Sequence, residues 1–217
     1  MTTVRIDVPD VSWEQWIMLR SDAHHDSVWC RRDIELAQLG RAGERRTWII
    51  DAGDLFDGMQ GRYDPRRSYE DVRPEDVGVD YYDRIVDHAA ADYMPYRDNW
   101  LLFGQGNHET AVLRHTNHSL TTALHRALGA GHIGGYGGWV RFAFTVHGTK
   151  RSSLRLKYHH GAGGGGPVTR GVIQTNRQAV YLPDADIVLN GHTHDAWVLS
   201  IARERLNDAG RVTRDLV

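Results

Sequence analysis

The sequence predicts a layered α/β fold. Short apolar runs alternate with segments of helical periodicity along the whole chain. Each of five apolar runs ends in a polar cluster containing Asp, Asn or His. The length of 217 residues, with no internal repeat and no linker, points to one domain over 1–217.

The elements follow in order. Trp16 to Leu19 reads as a strand that runs into Ser21-Asp22-Ala23-His24-His25, and a helix then covers Val28 to Leu39 and stops at Gly40. Thr47 to Ile50 is a second buried strand, ending at Asp51-Ala52-Gly53-Asp54. Residues 58 to 79 are polar and carry Arg62, Arg66, Arg67 and Arg73 among Pro65 and Pro74. That is a long surface loop of the kind often given to function, its arginines either clamping phosphate or simply solvated. Tyr81 to Tyr93 is helical, and Trp100 to Phe103 is a strand opening onto Gly104-Gln105-Gly106-Asn107-His108-Glu109. Leu120, Leu124 and Leu128, four apart, mark one face of a helix ending near Gly129.

Val140, Phe142, Phe144 and Val146 alternate with Arg141, Ala143 and Thr145, as in a half-buried antiparallel strand. Leu154, Leu156 and Tyr158 alternate likewise and lead into His159-His160-Gly161. Gly163 to Gly166, closed by Pro167, is either a flexible loop or a place where backbone approaches a ligand. A helix over Thr169 to Leu182 precedes the last buried strand, Asp186 to Leu189, which ends at Asn190-Gly191-His192-Thr193-His194. Ala196 to Ala202 and Arg211 to Val217 form a closing hairpin, with its turn near Asp208-Ala209-Gly210.

Composition excludes several classes. Apolar residues at 41% and charged residues at 25% suit a soluble globular protein, and a formal charge of -2 announces no basic field. No apolar run approaches a membrane span, and the acids and proline of MTTVRIDVPD do not suit a signal peptide. One cysteine, Cys30, fits a reducing, cytoplasmic setting and excludes an internal disulfide. The composition gives no membrane partner and leaves oligomeric state open.

The 13 histidines become informative through their placement. In layered α/β folds, sites form beyond the carboxyl ends of strands, so the five clusters can belong to one site. Asp22-x-His24 points a carboxylate and an imidazole the same way from extended backbone. Gly53-Asp54-x-x-Asp57 adds carboxylates on a tight turn, and Asn107-His108 pairs an amide oxygen with an imidazole. His160 and His192-x-His194 add three more imidazoles. Mixed nitrogen and oxygen donors without thiolate suit two divalent ions, Mn²⁺ first, with Fe²⁺, Zn²⁺, Ni²⁺ or Mg²⁺ also compatible. Two such ions share a water whose pKa falls towards ~7, giving a hydroxide nucleophile for phosphate ester hydrolysis.

These same blocks, Asp22-x-His24, Gly53-Asp54-x-x-Asp57, Gly106-Asn107-His108-Glu109, His160-Gly161 and Gly191-His192-x-His194, resemble the calcineurin-like metallophosphoesterase superfamily. All five occur in the family order across residues 22 to 194. The resemblance implies two packed mixed β-sheets flanked by helices, with a dinuclear site on one edge. It implies that Asp22, His24, Asp54 and His194 hold one metal, and that Asp54 bridges to a second held by Asn107, His160 and His192. His108 is then the residue that contacts phosphate and protonates the leaving oxygen, and Asp57 holds a ligating imidazole or His108 in place. His160 is preferred to His159 because it is in register with Leu154, Leu156 and Tyr158 and directly precedes glycine.

Other residues are expected to be bland. His25 points away, as a surface residue or substrate contact, and His88, His115, His118, His125, His132 and His147 are exposed or locally bonded. Glu109 caps the next helix, Cys30 is a helical structural thiol, and the seven tryptophans pack in the core. Arg141, Lys150, Arg151, Arg155 and Lys157 alternate with apolar residues and form an outward sheet face, with nucleic-acid contact a minor reading.

Within the superfamily, Gly58 stands where protein Ser/Thr phosphatases carry a phosphate-gripping arginine, although Glu109 fits their motif. With 23 residues after His194, the DNA-capping domain of the repair exonucleases is not expected. The pattern is most similar to compact bacteriophage and prophage phosphoesterases. The leading expectation is therefore a phosphodiesterase acting on nucleic acid or nucleotides. The alternatives are a broad-specificity or Ser/Thr protein phosphomonoesterase, and a non-catalytic metal-binding scaffold.

Overall fold

Parallel strands connected through helices dominate the architecture, as the alternation of apolar runs and helical periods requires. The computed structural model describes residues 1–58, 64, 68–164 and 171–217. In chain order the elements are β1 (Thr2–Val8), β2 (Ile17–Arg20), α1 (Arg32–Glu44), β3 (Trp48–Asp51), α2 (Tyr81–Tyr93), β4 (Trp100–Phe103), α3 (Asn107–Thr116), α4 (Leu120–Leu128), β5 (His132–Ile133), β6 (Gly137–Val146), β7 (Lys150–His159), α5 (Val172–Tyr181), β8 (Ile187–Asn190), β9 (Ala202–Leu206) and β10 (Val212–Leu216). The chain is α/β and forms two compact units, Met1–Trp13 with Gly138–Val217, and Glu14–Gly137.

In the unit Glu14–Gly137 the sheet order is β2-β3-β4-β5, all parallel, so every carboxyl end lies at one edge. Its core gathers Leu39, Ile49, Phe56, Ile85, Tyr93 and Leu124, all buried. Helix α4 starts at Ser119, whose hydroxyl accepts from Thr122 N at 3.3 Å, and stops at Gly129 in the left-handed region.

Helix α1 departs from expectation at both ends. Residues 27–30 form a turn, with Cys30 N donating to Ser27 O at 3.1 Å, so the helix begins at Arg32. Gly40 does not end it. The glycine face is instead used for packing, since a Cβ on Gly43 would stand 3.2 Å from the Tyr96 ring. Cys30 therefore precedes the helix, and burial, reinforced by the Glu35 charge, pushes its thiol up to about 11.

A polar network crosses this core. Arg20 pairs with Glu35 at 2.6 Å and with Asp51 at 2.9 Å, and Tyr93 Oη donates to Glu35 at 2.5 Å. His25 belongs here, contrary to its expected outward position: it is fully buried and its Nδ1 lies 2.7 Å from Glu35. The tryptophans also divide. Trp100 is buried, but Trp29 is 79% exposed and Trp16 is 49% exposed, so core packing does not hold for those two.

In the other unit the sheet order is β1-β6-β7-β8, with β1 parallel to β6 and β7 parallel to β8. Strand β1 was not expected from the sequence. One face buries Ile6, Val140, Phe142, Leu156 and Tyr158. The closing hairpin pairs β9 with β10, and its first arm starts at Ala202 rather than Ala196. Arg203 anchors it, pairing with Asp215 at 2.8 Å and donating to Leu182 O and Ala185 O. Arg62, Arg66, Arg67, Pro65 and the residues 165–170 of the glycine run and helix start lie outside the described residues. Among those described, no helix is long and apolar enough to cross a membrane.

The network predicts acid sensitivity. Burial alone would raise the Glu35 carboxyl, yet the His25 hydrogen bond, the Arg20 charge and the Tyr93 hydroxyl hold it down to about 2, from 4.5. A depressed folded pKa contributes stability above the ordinary value and loses it as pH falls through the 4.5-to-2 interval. Glu35→Gln should flatten that part of the stability curve and cost on the order of 3 kcal/mol at neutral pH. Urea melts across this range measure it, and an unchanged acid limb would contradict the assignment.

Candidate metal centre

The loops after β2, β3 and β4 are zipped together through backbone. Asp22 N donates to Gly53 O at 2.9 Å, His24 N to Asp54 O at 3.0 Å, and Gly104 N to Asp51 O at 2.8 Å. Two glycines permit this approach. A Cβ on Gly53, at φ +110°, would meet Gly106 N at 2.3 Å, and one on Gly106 would overlap the Asp54 carboxylate.

The loop carrying Asp54 and Asp57 is held by two buried carboxylates. Glu109 accepts from Gly106 N at 2.8 Å, which caps α3, and also from Asp54 N and Phe56 N at 3.0 Å. Asp26 accepts from Asp57 N at 2.6 Å, from Gly58 N at 3.0 Å and from Tyr81 Oη at 2.9 Å. Burial raises both carboxyl groups, with the Asp54 charge adding to the effect on Glu109 and the Asp57 charge to that on Asp26.

Within this unit Asp22 and His24 bring ligand atoms within 4.8 Å of each other, and His24, Asp57 and His108 form a second such group. Asp57 Oδ1 lies 3.2 Å from His108 Nδ1 and 3.6 Å from His24 Nδ1. Despite burial, these two imidazoles hold the Asp57 carboxyl well below the usual range. Burial opposes a charge on His108, yet Asp57 and Asp54 carry its imidazole up to about 9. Asp54, only 1% exposed, accepts from His108 N at 2.9 Å, at the amino end of α3 where backbone N–H groups favour an anion. Asn107 opens the same helix.

In the other unit His160 and His192 bring ring nitrogens within 4.8 Å of each other, their centroids 5.3 Å apart. Gly191 N donates to His160 O at 2.9 Å, and Gly161, at φ +112°, lets this loop pass close to His192. His160 is fully buried in line with Leu156 and Tyr158, whereas His159 faces the opposite side and accepts from Gly161 N at 3.0 Å. His194 is exposed on the same loop as His192.

Eight non-glycine residues among those described have positive φ, and five of them are Asp22, His24, Asp54, His192 and His194. Each such residue costs on the order of 1–3 kcal/mol and persists only where its surroundings over-determine it. Carboxylate, amide and imidazole donors at this density fit divalent cations.

Sequence reasoning missed Asp26, which follows two histidines without any motif of its own. It also missed Tyr136, whose phenol is raised by burial and by the charges of Asp54, Asp22 and Glu109, and whose neighbour Gly135 accepts from Gln105 N at 3.2 Å in the loop after β4. The remaining histidines are exposed or locally bonded: His88 pairs with Asp76 at 2.6 Å, and His118 stacks on Tyr82. No protein-family model matches the chain, and no curated protein is significantly similar to it.

Glu109→Gln tests the clamp. An amide has one accepting oxygen, so at least one of three buried N–H groups loses its partner, at about 1–3 kcal/mol each. Urea denaturation in chelator should show that loss, and a change below about 0.5 kcal/mol would mean that the clamp is dispensable.

Proposed function

We propose that this chain is a divalent-metal-dependent phosphoesterase, and that its substrates are phosphodiesters of nucleic acid or nucleotides. The reading rests on one observation above others. Five of the seven residues that the calcineurin-like pattern assigns as ligands, Asp22, His24, Asp54, His192 and His194, sit at left-handed backbone positions, and they make up five of the eight such non-glycine residues among those described. On this reading Asp22, His24, Asp54 and His194 would hold one cation, and Asp54, Asn107, His160 and His192 the other. The cations, when bound, would acidify water and neutralise charge on the phosphate, with Mn²⁺ the first candidate. A reducing cytoplasm is the proposed setting, in keeping with Cys30 as the one cysteine.

The chain's own groups supply proton transfer. His108 Nδ1 lies 2.7 Å from the Asp57 carbonyl oxygen, which can only accept, so Nδ1 carries a hydrogen. That leaves Nε2 as the working nitrogen, 3.7 Å from Asp54 Oδ2. A proton on Nε2 passes to the leaving oxygen as the P–O bond breaks. Asp57 fixes the ring orientation and favours the imidazolium, and Asp26 fixes Asp57 through its backbone N–H.

Turnover of bis-p-nitrophenyl phosphate and p-nitrophenyl phosphate, after chelation and Mn²⁺ reloading, tests the reading. Diester preference is expected. Monoester preference would replace it with a phosphomonoesterase, and silence on both with a non-catalytic scaffold. His108→Ala should retain metal while losing roughly 10²–10⁴ in rate on a poor leaving group. Asp54→Ala and Asn107→Ala should lose both metal and activity, and full activity in either would remove these residues from the site.

A further inference from the structure

The unit Met1–Trp13 with Gly138–Val217 carries a cationic sheet face that the proposed chemistry does not use. Register places Thr3 beside Arg141 and Arg5 beside Ala143, on the side opposite the buried Ile6, Val140 and Phe142. Lys157 shares that side, because its Nζ lies 5.7 Å from the centroid of the Trp139 ring. Arg5 and Arg141 are exposed, and Trp139 and Lys157 are half-buried. Helix α5 reaches the β8 end of the same face, where Asn190 Nδ2 donates to Thr175 Oγ1 at 2.8 Å, and leaves Arg5 and Arg141 open.

The cations here are unequal. Arg155 is spent on Asp186 at 3.0 Å and Asp184 at 3.5 Å. Among the described residues no carboxylate pairs with Arg5, Arg141 or Lys157, and the exposed Asp7 is the acid that β1 adds to this side. Partial burial already lowers the Lys157 ammonium pKa, so an anion beside it would recover charge solvation. On β7 the same side continues through Lys157 to His159, next to the candidate ligand His160.

We propose that this face binds single-stranded nucleic acid, with Arg5, Arg141 and Lys157 taking successive phosphates and Trp139 stacking a base. This inference rests on the nucleic-acid reading of the substrate. Cations without carboxylate partners supply the backbone attraction, and the Lys157 ammonium, which lies over the indole of Trp139, uncovers that ring face for an unpaired base when it moves to a phosphate. A duplex offers no free base face to the indole, which is why the strand is single.

Fluorescence anisotropy of a labelled oligothymidylate, with the full chain in chelator so that no cleavage occurs, tests it. The wild type should bind, and binding should weaken steeply with added salt. The double variant Arg5→Glu, Arg141→Glu should weaken binding at least about tenfold, and Trp139→Leu about tenfold, while Trp139→Phe retains most of it. Turnover of bis-p-nitrophenyl phosphate should stay at the wild-type level in the arginine variant, which separates this face from the reaction. Absence of oligothymidylate binding, equal binding by the charge-reversed variant, or tighter binding to a duplex or to phosphatidylserine vesicles would overturn the proposal. Loss of wild-type diester turnover with oligothymidylate binding intact would count against the catalytic reading and leave this face standing.

Discussion

The loop after β3 is gripped by its peptide N–H groups. Glu109 takes those of Asp54 and Phe56, and Asp26 takes those of Asp57 and Gly58. Four of the five peptide N–H groups from Asp54 to Gly58 are thereby held by two acids. Both acids are almost fully buried, so water cannot replace either set of hydrogen bonds cheaply. Everything proposed for Asp54, Asp57 and His108 follows from where this clamp places the loop. Because Glu109 also caps α3, the same carboxylate sets the start of the helix that presents Asn107 and His108.

The clamp also explains how the backbone tolerates its conformation. Asp22, His24 and Asp54 sit at φ values of 56°, 45° and 53°, a region that side chains with a Cβ enter at a cost. The loops can share this strain because Gly53 and Gly106 let them touch where any Cβ would collide with backbone. Cross-loop N–H to carbonyl bonds from Asp22 and His24 then lock the arrangement. Preorganisation of this kind would spare a bound cation the cost of assembling its proposed ligands.

Where local pattern decided the outcome, the sequence was readable. Tyr81–Tyr93, Trp100–Phe103 and Leu120–Leu128 form where periodicity and Gly129 place them. Strand β1 was not readable, because its identity depends on pairing with β6, more than a hundred residues away. The carboxyl end of α1 runs past Gly40 because tertiary packing of Tyr96 on the glycine face overrides the glycine stop signal. In the candidate site the chemistry-bearing residue types were legible from their clusters. The inward turn of His25 was not, since it follows from the left-handed φ of His24, and Asp26 has no motif to announce its backbone contacts.

On the proposed reading these clusters would hold a pair of divalent cations. Elemental analysis of the chain after chelation, Mn²⁺ reloading and desalting, read together with its Mn²⁺ electron paramagnetic resonance spectrum, tests that claim without depending on any substrate. Two manganese ions per chain with a spin-coupled spectrum are expected. Less than one retained ion, or the six-line spectrum of isolated Mn²⁺, would contradict it.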